Sequence, residues 1–116
     1  MRTVLLAGFI AVLGMAGCGA SSDVSRELGA RCETSSECDG RCLPPSTDFP
    51  DGFCTLVCNA PAECPGGSTC IEDGGGSCLF ECVDDTGCAF LGPDWHCKER
   101  DVRGGAPGDK AMVCRG

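Results

Sequence analysis

Twelve cysteines between Cys32 and Cys114 constrain this chain more than any other feature. They fall into three sets of four: Cys32, Cys38, Cys42 and Cys54, then Cys58, Cys64, Cys70 and Cys78, then Cys82, Cys88, Cys97 and Cys114. Every set opens with a C-x5-C step. The second gap runs over three, five and eight residues, and the third over eleven, seven and sixteen. Identical three-residue spacers, 55–57 and 79–81, separate the sets. A fixed first step and a fixed spacer with elastic gaps between them are the pattern of a tandem array whose loops have drifted.

Composition explains why the sulfur is there. From residue 29 to 116 only 13 of 88 residues are Leu, Ile, Val or Phe, a proportion at which an acidic chain is expected to stay disordered. Cysteine supplies 12 of the same 88, enough to mark a disulfide scaffold. Cross-links that restrict the unfolded chain, each worth roughly 2–4 kcal/mol, are expected to stand in for the missing hydrocarbon. The fold class that follows is small and disulfide-rich: three tandem four-cysteine units with short β-hairpins and little helix. Their limits are about 29–54, 58–78 and 82–114.

The first residues place that scaffold in a compartment. Met1-Arg2-Thr3 is a short basic start, Val4 to Leu13 is mostly apolar, and Gly14-Met15-Ala16-Gly17-Cys18 is a small-residue terminus. These are the three parts of a secretory signal, and the apolar run is too short to span a bilayer as a permanent helix. Met15-Ala16-Gly17-Cys18 resembles the bacterial lipobox, with Met15 where leucine is commoner. The resemblance implies cleavage after Gly17, diacylglycerol on the thiol of Cys18, and anchorage of the mature chain in a membrane. Gly19, rather than Asp, follows Cys18, which in the Gram-negative lipoproteins it resembles favours the outer membrane. The count agrees: thirteen cysteines are odd in an exported chain, and setting Cys18 aside leaves twelve. Residues 1–17 are thus read as signal peptide, 18–28 as lipidated cysteine and flexible tether, and 29–116 as the cysteine-rich domain.

In an oxidising compartment the twelve thiols are expected to be paired. Zinc suits them poorly, because no C-x2-C knuckle occurs and His96 is the one histidine. The C-x-x-C redox motif is absent as well. The unit spacing is similar to the small fingers of the Dickkopf, prokineticin and colipase group, which tie four of their cysteines first to third and second to fourth. That resemblance implies Cys32–Cys42 and Cys38–Cys54, Cys58–Cys70 and Cys64–Cys78, and Cys82–Cys97 and Cys88–Cys114. Spacing alone leaves three pairings open for each set of four. The adjacent cysteine pair that joins fingers in that group is missing, so each unit is expected to be cross-linked within itself. Across the whole domain the texture more closely resembles the cysteine-rich lipoproteins of some Gram-negative bacteria.

Catalysis finds little to work with. His96 beside Trp95 reads as a packed loop residue rather than a base, and the serines sit in turns with no G-x-S-x-G elbow. The net charge of −8 argues against nucleic acid as a partner. For calcium, Asp84-Asp85 and Glu72-Asp73-Gly74 offer oxygen ligands, but the EF-hand pattern is absent and they read as solvated turn acids. No cofactor is implied. The segment 98–113 reads as a long mobile loop rich in Gly104, Gly105 and Gly108. Its cations Lys98, Arg100, Arg103 and Lys110, with Arg115 beyond it, offer a local basic face as the alternative. Two function classes remain. The favoured one is a non-enzymatic, outer-membrane-anchored module for structure or protein interaction. The other is an envelope protease inhibitor presenting the loop 43–52, stiffened by Pro44, Pro45 and Pro50, which leaves at Leu43 and returns at Gly52. Stoichiometric inhibition across a protease panel separates the two.

Overall fold

Five residues between the first two cysteines of a unit suffice for one 3-10 turn, and each unit uses them so in the computed structural model, which describes residues 24–116. The signal segment 1–17 and Cys18 lie outside the described residues. The turns are Ser35–Glu37, Pro61–Glu63 and Asp85–Leu91, the last running on past Cys88. Pro61 begins the second, where its fixed φ suits the first helical position. Asp84 caps the third, its side chain accepting from the Gly87 amide at 3.3 Å.

After each turn comes an antiparallel hairpin: β1 (Arg41–Leu43) with β2 (Phe53–Thr55), β3 (Ser68–Ile71) with β4 (Ser77–Phe80), and β5 (His96–Asp101) with β6 (Lys110–Arg115). The third and fourth cysteines of a unit stand directly opposite one another, Cys42 by Cys54, Cys70 by Cys78 and Cys97 by Cys114. They are not bonded to each other. Each instead reaches back to the segment of its unit's 3-10 turn, giving Cys32–Cys42 and Cys38–Cys54, Cys58–Cys70 and Cys64–Cys78, and Cys82–Cys97 and Cys88–Cys114. First-to-third bonds span 5.9–6.0 Å between Cα atoms and second-to-fourth bonds 5.4–5.6 Å, so one plan serves all three units. The variable gaps are the hairpin turns and the approaches to them.

The fixed spacer has a cause as well. Beyond β2 the chain continues through Val57, which bridges to Ser77 at the start of β4; beyond β4 it continues through Glu81, which bridges to Val113 in β6. The Cys78 amide donates to Leu56 O at 3.2 Å, and in unit 1 the Cys54 amide donates to Ala30 O at 2.8 Å. The segment preceding each first cysteine thereby lies along the last strand of the unit it enters. Three residues make that handover and keep side-chain alternation in step.

Two glycines make room for it. Gly52 and Gly76 each lie two residues before a fourth cysteine, with φ of +80° and +112°. A Cβ on Gly52 would sit 1.9 Å from Cys32 O, and one on Gly76 would sit 2.1 Å from Cys58 O. Gly108, with φ of +84°, faces open space. Gly108→Ala is therefore expected to cost only the left-handed penalty of about 1–2 kcal/mol. Gly52→Ala adds a backbone collision and should lower the melting temperature well beyond that variant.

The three units share one core, built from a few large apolar side chains and buried disulfide cysteines. Phe53 of unit 1 is fully buried, packing edge-on to Phe80 of unit 2 at 5.9 Å and tilted against Trp95 of unit 3 at 5.4 Å. Leu28, Leu43, Ile71, Leu79, Leu91 and Val113 close round them, together with buried cysteines. Unit 2 is central, and all eight residues of β3 and β4 are buried. Nine of the 19 buried apolar residues are cysteines, so sulfur supplies much of the interior.

Leu28 is buried and its amide donates to Ser25 Oγ at 3.1 Å, so packing extends ahead of residue 29. The segment 98–113 is no mobile loop. Its two ends are strands, and only 102–109 turn between them, with Val102 bridging to Ile71 in unit 2.

Candidate functional site

The hairpin tip of unit 2 draws in arginines from both neighbouring units. Asp73, at the head of the turn Asp73–Gly75, lies 3.2 Å from Arg100 Nη2 and 2.9 Å from Arg115 Nε. The second contact is an ion pair not aligned as a hydrogen bond. Arg115 also meets Asp48 at 3.2 Å and lies over the ring of Phe49 at 5.5 Å, so one guanidinium joins unit 3 to both other units. Its side chain is only 11% exposed and that of Asp73 only 15%. From unit 1, Arg41 donates to Gly74 O at 2.8 Å and to Ser77 Oγ at 2.6 Å. From unit 3, Arg103 pairs with Glu72 at 3.2 Å. Four arginines thus hold one turn, and the arrangement binds units together without leaving a reactive group free.

Other candidate residues resolve in the same way. Asp101 and Lys110 are cross-strand partners, and their side chains meet at 2.6 Å. That contact lowers the carboxyl pKa of Asp101 and raises the ammonium pKa of Lys110, chiefly through the hydrogen bond between them. Lys98 donates to Gly116 O. The basic face weighed as the alternative reading has no unengaged cation among the described residues, because Lys98, Arg100, Arg103, Lys110 and Arg115 each have a protein acceptor. The proposed calcium ligands are engaged too: Glu72 and Asp73 by arginine, and Asp84 by the amide it caps.

His96 departs from expectation. It opens β5 half-exposed and is not a packed loop residue, whereas its neighbour Trp95 is the buried one. Its Nδ1 lies 3.0 Å from Asp85 Oδ2, and the Cys97 amide donates to Asp85 Oδ1 at 2.8 Å. Asp85 thereby ties the 3-10 turn of unit 3 to its hairpin. The Cys97 amide first, and then His96, hold its carboxyl below the ordinary aspartate value. A group depressed in this way contributes stability above its unfolded pKa and loses it as pH falls through the folded value. The melting temperature of the natural chain is expected to fall from about pH 4 downwards. Asp85→Asn keeps an acceptor for the amide but cannot titrate, and should lack that component.

Within each unit three cysteine sulfurs lie within 4.8 Å of one another, in the sets Cys32, Cys38 and Cys42, Cys58, Cys64 and Cys78, and Cys82, Cys88 and Cys114. All are in disulfides, so the oxidised domain has no thiolate there to offer a soft metal. The loop 43–52 is held at both ends: Leu43 and Phe49 are buried, Asp51 pairs with Arg31 and Asp48 with Arg115. Its exposed residues are 44–48 and Asp51.

No family model matches this chain, and no curated protein or solved structure is detectably similar to it. The cysteine-rich domain with its disulfides in groups of four therefore stands on its own geometry.

Proposed function

We propose that this chain is a lipoprotein of the bacterial outer membrane, anchored by diacylglycerol on Cys18 and carrying a non-enzymatic module for structure or protein interaction. One observation carries the reading. All twelve described cysteines are paired with one another, and the thirteenth in the sequence, Cys18, stands at the end of the apolar run within Met15-Ala16-Gly17-Cys18. A thiol reserved from the disulfide set at that position suits acylation. The resemblance to the Dickkopf, prokineticin and colipase fingers suits the same picture, a rigid unit that presents loops. Engaged cations and engaged turn carboxylates favour a scaffold over a reaction centre. The inhibitor alternative is less favoured, because Phe49 is buried in the shared core and Asp48 and Asp51 are already paired with Arg115 and Arg31.

Intact-mass measurement of the chain isolated from the envelope tests the proposal. The expected species begins at Cys18, carries the mass of diacylglycerol, and gains twelve hydrogens on reduction of six disulfides. A chain retaining residues 1–17, or an unmodified Cys18, would sink it.

A further inference from the structure

Where the described chain begins, Val24 lies by Phe80 at the end of β4, and Phe80 in turn lies by Phe90 of unit 3. A Cβ on Gly29 would lie 2.8 Å from the Phe80 ring and 3.4 Å from Val24 Cγ2, so Val24 and Phe80 are neighbours. Phe80 stacks edge-on with Phe90, ring centroids 5.2 Å apart. Val24 is 38% exposed and Phe90 37%, and a shallow groove nearby is lined by Leu28, Phe80, Pro65 and Gly66 with Ser25 and Glu27 at its polar side. The described chain is acidic on balance: residues 24–116 hold sixteen carboxylates against eight Lys and Arg, and the cations already have acceptors.

The tether decides what covers this patch. Because Leu28 is buried and Ser25 is bonded to it, only residues 19–23 separate Cys18 from Val24. Fully extended, that stretch reaches roughly 20 Å, against roughly 37 Å for a tether running to residue 29. A chain anchored at Cys18 cannot carry Val24 farther from the acyl chains than that. We infer that the face on which Val24 and Phe90 stand exposed, backed by buried Phe80, is the one the domain turns to the lipid surface, with the Phe90 ring seated at the headgroup level. The inference rests on the proposed lipid at Cys18. Apolar rings at the interface add to the anchor, and an acidic remainder is kept off anionic headgroups.

The test uses the full lipidated chain in phosphatidylcholine vesicles whose acyl chains carry bromine, which quenches nearby indoles. Trp95 is buried and gives a constant background. Phe90→Trp is expected to lose about half its added emission, as a ring seated roughly 5–10 Å into the interface would. Thr47→Trp, an exposed position outside the patch with the same indole preference, should lose almost none. Equal quenching at the two positions, or none at position 90, overturns the inference. So does chemical cross-linking that shows a second copy covering Phe90. Intact mass of each variant, read with and without reduction, confirms six disulfides and the lipid before quenching is measured. A chain without lipid on Cys18 defeats the anchorage proposal itself; a lipidated chain with an unquenched Trp at 90 defeats only the orientation.

Discussion

Replacing Phe53 by alanine is expected to destabilise the domain by about 3–5 kcal/mol and to loosen all three units at once. The ring is fully buried, and its two aromatic neighbours belong to the other two units. Independent beads, each held by its own two bonds, would respond differently, with only unit 1 opening. Partial reduction followed by alkylation and peptide mapping distinguishes the cases. In Phe53→Ala the cysteines of units 2 and 3 should become reducible along with those of unit 1. If labelling rose in Cys32, Cys38, Cys42 and Cys54 alone, the shared core would not be what couples the units.

Replacing Cys88 and Cys114 together by alanine should cost about 3.5 kcal/mol by loop-closure entropy. This pair has the largest sequence separation of the six, 26, and both residues are fully buried. The Cys58–Cys70 bond, with a separation of 12, should cost about 3 kcal/mol by the same rule. Denaturant melts of the two double variants therefore test whether loop length sets the order. A larger loss at Cys58–Cys70 would mean that its place in central unit 2 outweighs chain entropy.

How far the sequence disclosed this arrangement depends on which residues carried the information. The cysteine grouping was legible because C-x5-C fits one short turn and recurs without change. Glu72 to Gly76 was legible as a hairpin turn from its glycines. The third hairpin was not. His96–Asp101 contains Lys98, Glu99, Arg100 and Asp101, poor strand formers whose pairing comes from the opposed Cys97 and Cys114 and from cross-strand charge. The shared core was hidden for another reason. Its aromatic residues are few and lie far apart in the chain, and composition cannot show that Phe53, Phe80 and Trp95 converge. Buried cysteines also contribute apolar volume that a count of Leu, Ile, Val and Phe leaves out. Asp73 looked like one turn acid among several because both arginines that hold it come from β5 and β6, more than 25 residues away.

The strand handover at the spacers bears on how such a chain can change over generations. Hairpin tips and their approaches can lengthen freely, as the eleven, seven and sixteen residues between third and fourth cysteines already illustrate. One residue added between Cys54 and Cys58 would instead turn every later side chain on that edge to the wrong side. Inheritance should therefore tolerate drift at the tips and whole-unit duplication or loss, while junctions stay fixed in length.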